Sequence, residues 1–116
     1  NIDMLKVLKS CDLLITHLSK ASYEAVLMNK NVLLLCYNSD FISDDIWDFK
    51  RYDAVMSVQN FSDLEYCIRK ALFDPSTQFL LRKNRAEYIP EHVYKLDGNA
   101  SIRVKEIIDR FCNNLQ

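Results

Sequence analysis

The chain has 116 residues, 49% hydrophobic and 27% charged, with 15 basic against 16 acidic side chains and a net charge of -1. This composition fits a folded globular domain and excludes a disordered segment. The even charge balance excludes a general nucleic-acid binder, which needs a basic excess. No apolar run approaches the roughly 20 residues of a membrane-spanning helix. The single glycine, Gly98, excludes GxGxxG and Walker A loops, which need several glycines for close approach to phosphate.

In chain order, Ile2, Leu5 and Leu8 recur every three residues and predict a helix over residues 2–10. Residues 12–16 form a short apolar run, the pattern of a buried parallel strand. Residues 19–29 read as the next helix. Residues 32–37 are continuously apolar and suit a strand covered on both faces. Residues 38–52 are acidic and aromatic and read as a long loop or short helix. This segment suits either an acceptor-facing loop or a surface stretch that pins aromatics to the core. Residues 54–58 are a third strand.

Ser62 and Glu65 have the spacing of a capping box, and Phe61 and Tyr66 that of a hydrophobic staple. The helix that follows buries Leu64, Ile68 and Ala71/Leu72. Asp74-Pro75 restarts the chain, because Pro75 suits only the first turn of a new helix. That helix is expected to present Arg82, Lys83 and Arg85 to solvent and to end at Pro90. Asp97-Gly98-Asn99 is a turn with capping side chains. The last helix runs over residues 100–113, with Ala100, Val104, Ile107, Ile108, Phe111 and Leu115 on its apolar face.

Alternating helices and strands imply an α/β layer structure with a parallel, Rossmann-like sheet and flanking helices. The chain reads as one domain, residues 1–116. Three strands make a small sheet, so preceding strands are expected outside this chain, and an open sheet edge would suit a homodimer. The four cysteines are scattered without CxxC spacing and read as reduced structural thiols, with metal or redox chemistry as the alternative. Neither histidine stands at a metal-ligand spacing from a second ligand-type residue, so no metal site is expected, and no cofactor is expected either. His92 is read as a surface residue.

Residues 12–25 carry the densest chemistry. In open α/β sheets ligands bind beyond the carboxyl ends of the strands. Thr16, Ser19 and Ser22 bring hydroxyls there and Lys20 a charge. The amides of Lys20 to Ser22 would add the helix N-terminus, a natural seat for phosphate. Glu24 interrupts an otherwise apolar helix face. It reads either as an i,i+4 partner of Lys20, contributing about 0.2–0.5 kcal/mol, or as a carboxylate that holds a ribose diol. His17, at the strand end, would contact a phosphate or base, or pack against the next loop.

The order Asp12-Leu-Leu-Ile-Thr16-x-x-Ser19-x-x-Ser22-x-Glu24-Ala25, followed by Lys30 and the strand to Cys36, resembles the donor-binding C-terminal domain of GT-B glycosyltransferases. The stretch Leu96-Asp97-Gly98-Asn99-Ala100-Ser101-Ile102-Arg103 resembles the ending of CDP-glycerol glycerophosphotransferase-like proteins. UDP-N-acetylglucosamine 2-epimerases are similar in the first motif and less so in the second. Together the motifs cover about a third of the chain. The resemblance implies a CDP- or UDP-linked donor as partner, with Ser19 and Ser22 near its phosphates and Glu24 on its ribose; Thr16 and Lys20 join the phosphate candidates by their own chemistry. Asp97 and Arg103 belong to the second motif and are further candidates, although Asp97 is also a good helix cap.

It further implies transfer of a sugar or polyol phosphate to an acceptor of a cell-envelope polymer. The setting would be cytoplasmic, at the inner face of a membrane that carries the acceptor. An N-terminal acceptor domain, absent here, would supply the general base, so this chain alone is expected to be inactive. Thr16-His17-Leu18-Ser19 stands where members have Asp-Ser-Ser or Asp-Tyr-Ser-Ser, and Asn31 replaces a proline. These departures leave open the donor's identity, a 2-epimerase-like activity, and a non-catalytic α/β interaction module with a degenerate nucleotide site.

Overall fold

A computed structural model describes residues 3–36 and 48–114. The expectations for Ile2, Tyr37, Leu115 and most of the acidic aromatic stretch fall outside them. The described elements are α1 (Met4–Ser10), β1 (Leu13–Thr16), α2 (Lys20–Leu27), β2 (Asn31–Leu35), α3 (Phe49–Tyr52), β3 (Met56–Val58), α4 (Leu64–Phe73), α5 (Pro75–His92) and α6 (Ala100–Asn113). The sheet is parallel throughout, in the order β1-β2-β3. Leu13 pairs with Asn31 and Leu33 with Met56. The chain is therefore mixed α/β. Among the described residues no helix is long and apolar enough to cross a membrane.

The core lies around β2, whose Val32, Leu33 and Leu34 are buried on both faces, as a continuous branched run requires. Leu8, Ala25, Val26, Phe49, Ala54 and Tyr88 cluster with Val32 and Leu34, and Val58, Ala71 and Leu81 are buried as well. In α1 only Leu8 turns inward, and Leu5, expected beside it, is exposed. Asp3 starts this helix by accepting from the Leu5 amide at 3.1 Å.

The exit of α2 fixes the approach to β2. Asn29 is left-handed at φ 57°. The Asn29 amide donates to Val26 O and the Lys30 amide to Ala25 O, both at 2.9 Å. This is the Schellman arrangement, with asparagine where glycine is commonest. It delivers Lys30, whose Nζ closes the end of α1 by donating to the Lys9 and Cys11 carbonyls at 2.8 and 3.0 Å.

Three expectations are corrected. The Ser62–Glu65 capping box does not form. A 3-10 turn over Phe61–Asp63 places Asp63, not Ser62, at the start of α4. Glu65 turns along the surface to Arg69 Nε at 3.0 Å, and Phe61 and Tyr66 are both largely exposed. Pro90 does not end α5, which continues to His92. Proline removes the donor to the Ala86 carbonyl, but both residues are exposed, so water can serve that oxygen. Finally, Arg85 does not face solvent: it is 2% exposed.

The Asp74-Pro75 junction is as expected. Pro75 opens α5, and Asp74 caps it by accepting from the Thr77 amide at 2.9 Å. Helix α6 is amphipathic but buries none of its residues. Ile102, Val104, Ile107, Ile108 and Phe111 are all more than half exposed.

Candidate functional site

Residues 16–24 sit where the parallel sheet directs them, at the carboxyl end of β1 and in the first turns of α2. His17 fastens this turn to the neighbouring strand. Its Nδ1 lies 2.9 Å from the Leu35 carbonyl, and since a carbonyl only accepts, Nδ1 carries the proton. The exposed side chain thus bonds from the end of β1 to the end of β2. The Thr16 and Ser19 hydroxyls stand 3.4 Å apart on the same turn.

Ser22 is fully buried. Its hydroxyl accepts from the Ser19 amide at 3.2 Å and donates to the Ser19 carbonyl. The Ser22 amide also donates to that carbonyl, at 3.0 Å. Ser22 is thus the staple that shapes the turn, and of the three amides expected to face outward its own is already paired. Lys20 and Ala21 occupy the first two helical positions, whose amides have no intrahelical acceptor.

Glu24 is half-buried, with its Oε1 3.7 Å from Lys20 Nζ, while Lys20 is almost fully exposed. Such an exposed ion pair holds its partners weakly, so a ligand bringing better donors would displace Lys20. The turn thus offers two hydroxyls, one ammonium, two helix amides and a carboxylate one turn further on.

Asp97 and Arg103 are brought to each other and not to this turn. Arg103 Nη1 donates to both Asp97 carboxylate oxygens, at 2.9 and 2.8 Å. The Asn99 amide donates to Asp97 at 3.0 Å. These two interactions, the amide first, hold the Asp97 carboxyl below its usual pKa. The guanidinium also lies 5.4 Å from the Tyr94 ring centre. Together they brace the turn through Gly98, whose φ of 73° suits glycine.

His92, read as a surface residue, is half-buried and has partners, with its Nε2 3.4 Å from Asp48 Oδ2. It stacks on Tyr88 at 4.0 Å between ring centres, meets the edge of Tyr52 at 5.5 Å, and bonds the Tyr88 carbonyl through Nδ1 at 2.9 Å. Among the described residues no group of three or more His, Cys, Asp or Glu side chains is placed to hold a metal.

A feature read wrongly in the sequence is the inward side of α5. Leu81, Arg85 and Tyr88 are its buried residues, and their spacing of four and three places them on one helical stripe. That spacing, more than the charge of Arg85, carried the signal. Compared with known proteins, the chain matches no family model, no curated protein and no solved structure.

Proposed function

We propose that this chain is the donor-binding part of a GT-B-type transferase, acting on a CDP- or UDP-linked donor. The observation that supports this reading best is the turn at the end of β1. Thr16, Ser19 and the Lys20 and Ala21 amides gather beyond the carboxyl end of a parallel strand, with Glu24 one turn behind. In this reading the donor diphosphate lies on the Thr16 and Ser19 hydroxyls, the two amides and Lys20, which stabilise the departing diphosphate. Glu24 releases Lys20 to the phosphates and accepts from the ribose diol. Ser22 contributes by holding the turn. The base comes from another domain, and the acceptor is a growing envelope polymer.

A second reading, an interaction module with a degenerate nucleotide site, draws support from the internal pairing of the Ser22 hydroxyl and from the uncovered apolar face of α6.

Amide-shift mapping with CDP- and UDP-linked donors separates the two. Saturable shifts confined to residues 16–25 are expected for donor binding, and the preferred base sorts a transferase from a 2-epimerase-like enzyme. Absence of shifts at millimolar donor would favour the module. In the protein joined to its acceptor domain, Glu24→Gln should weaken donor binding by roughly 1.5–3 kcal/mol, the range for a hydrogen bond to a charged group. Unchanged affinity and turnover would remove Glu24 from the site.

A further inference from the structure

The opposite end of the sheet holds a second opening. A cavity of about 370 Å3 lies at the amino ends of β1 and β2, between the ends of α2 and α4 and one side of α5. Lys30, Arg82 and Arg85 line it, and among the described residues the only carboxylate in its wall is that of Asp12.

Arg85 is the unusual member. It is 2% exposed. Its Nε donates to Asn29 Oδ1 at 2.9 Å, and its buried Nη1 has no acceptor among the described residues. A buried cation with only a neutral amide for company is costly unless an anion joins it. Burial, and after it the charge of Arg82, pushes the Arg85 pKa down to about 10. Arg85 still carries its proton at neutral pH.

The nearby backbone supplies only partial negative charge. Helix C-termini converge here, and their carbonyls favour cations, but several of these oxygens already accept hydrogen bonds from within the chain. Ala71 O accepts from Asn31 Nδ2 at 3.1 Å, and Leu72 O from Gln78 Nε2 at 2.6 Å. Ala25 and Val26 O are taken by the turn after α2, and Lys9 O by Lys30. Three cations against one carboxylate leave an excess of two positive charges.

We infer that this cavity is a binding site for a phosphoryl dianion, inorganic phosphate or a small phosphomonoester, held between the Arg82 and Arg85 guanidiniums. Two guanidinium forks match the oxygens of a phosphate geometrically, and the dianion cancels the local excess. The site is separate from the turn after β1 and does not rest on the donor-binding reading.

The test uses the purified chain with inorganic phosphate, glycerol phosphate and acetate, each at the same ionic strength, followed by amide shifts. Saturable shifts at residues 29–31, 72–73 and 82 are expected with both phosphates and not with acetate. Tighter binding of glycerol phosphate would mark a phosphomonoester as the ligand, and equal binding would mark phosphate itself. Arg82 is exposed, so Arg82→Gln should fold normally and weaken phosphate at least tenfold. Arg85→Met should abolish the response; if it fails to fold, Arg82→Gln decides alone. The inference is overturned by the absence of a saturable response at tens of millimolar phosphate, by equal binding of acetate, or by unchanged affinity in Arg82→Gln. Shifts confined to residues 16–25 would assign the anion to the other end of the sheet and also overturn it.

Discussion

Asp74 joins two helices. Its amide closes α4 on the Lys70 carbonyl at 3.2 Å, and its carboxylate opens α5 by accepting from both the amide and the hydroxyl of Thr77. Those hydrogen bonds, with Lys70 Nζ 3.5 Å away, hold the Asp74 carboxyl below its usual pKa. A carboxyl whose pKa is lower in the folded state stabilises fully above its unfolded value, near 3.9. That contribution disappears as pH falls through the lower folded value. An asparagine side chain in its place would still cap but would not titrate. Urea unfolding of the wild type and Asp74→Asn between about pH 2 and 6 should therefore show the largest gap at the upper end, closing on acidification. A gap independent of pH would mean that the charge of Asp74 plays no part. Single residues were legible in the sequence where their partners are close along the chain, as for Asp74 and Pro75. Arg85 was not, because Asn29 is far from it in sequence, although its place between Leu81 and Tyr88 was visible. Ser22 was legible as a member of the turn; that its hydroxyl points back to Ser19 depends on a backbone conformation no spacing encodes.

Among the elements, the strands and most of the helices followed from local pattern. The branched run of β2 suits only a strand covered on both faces, and the Asp74-Pro75 pair suits only a helix start. The failures occurred where surface partners compete. Glu65 has the spacing of a capping box and also stands four residues before Arg69, and the second relation prevails. Pro90 sits in the last turn of α5, where only one helical bond is lost and its acceptor is solvated. Helix α6 has the clearest apolar stripe in the chain, yet no residue of it is buried. Amphipathicity gives the face that would be covered but not whether anything covers it. Substitutions should separate the two kinds of element. Leu33→Ala, in the fully buried centre of β2, should destabilise the chain by about 2–5 kcal/mol. Ile107→Ala in α6 should change stability by less than about 0.5 kcal/mol. Denaturant titration checks both; a large loss from Ile107→Ala would mean that α6 folds back onto the body.

As a whole the molecule is elongated, with extents of 65 × 33 × 31 Å and a radius of gyration of 17.5 Å, where a compact chain of this length has about 13 Å. Its α/β class was legible from the alternation of elements. The balance between body and projection was not, because it depends on how much of α6 is covered, and among the described residues of that helix none is buried. The two ends of the sheet divide the chemistry. Hydroxyls and helix amides gather at the carboxyl end, and guanidiniums at the amino end. The all-parallel sheet also has a kinetic consequence. No two of the described strands can meet through a hairpin, since Leu13 waits for Asn31 and Leu33 for Met56. The search must close a crossover before any strand pairing is gained, which slows folding relative to a hairpin-built domain. The shortest such closure is β1-α2-β2, and its helix already ends in a turn that aims β2. Stopped-flow measurements should find that Val32→Ala chiefly slows folding, whereas Leu81→Ala, in α5, chiefly speeds unfolding. The reverse pattern would place the first organised structure among the later helices, and the sheet would then assemble on a surface that α4 and α5 had already formed.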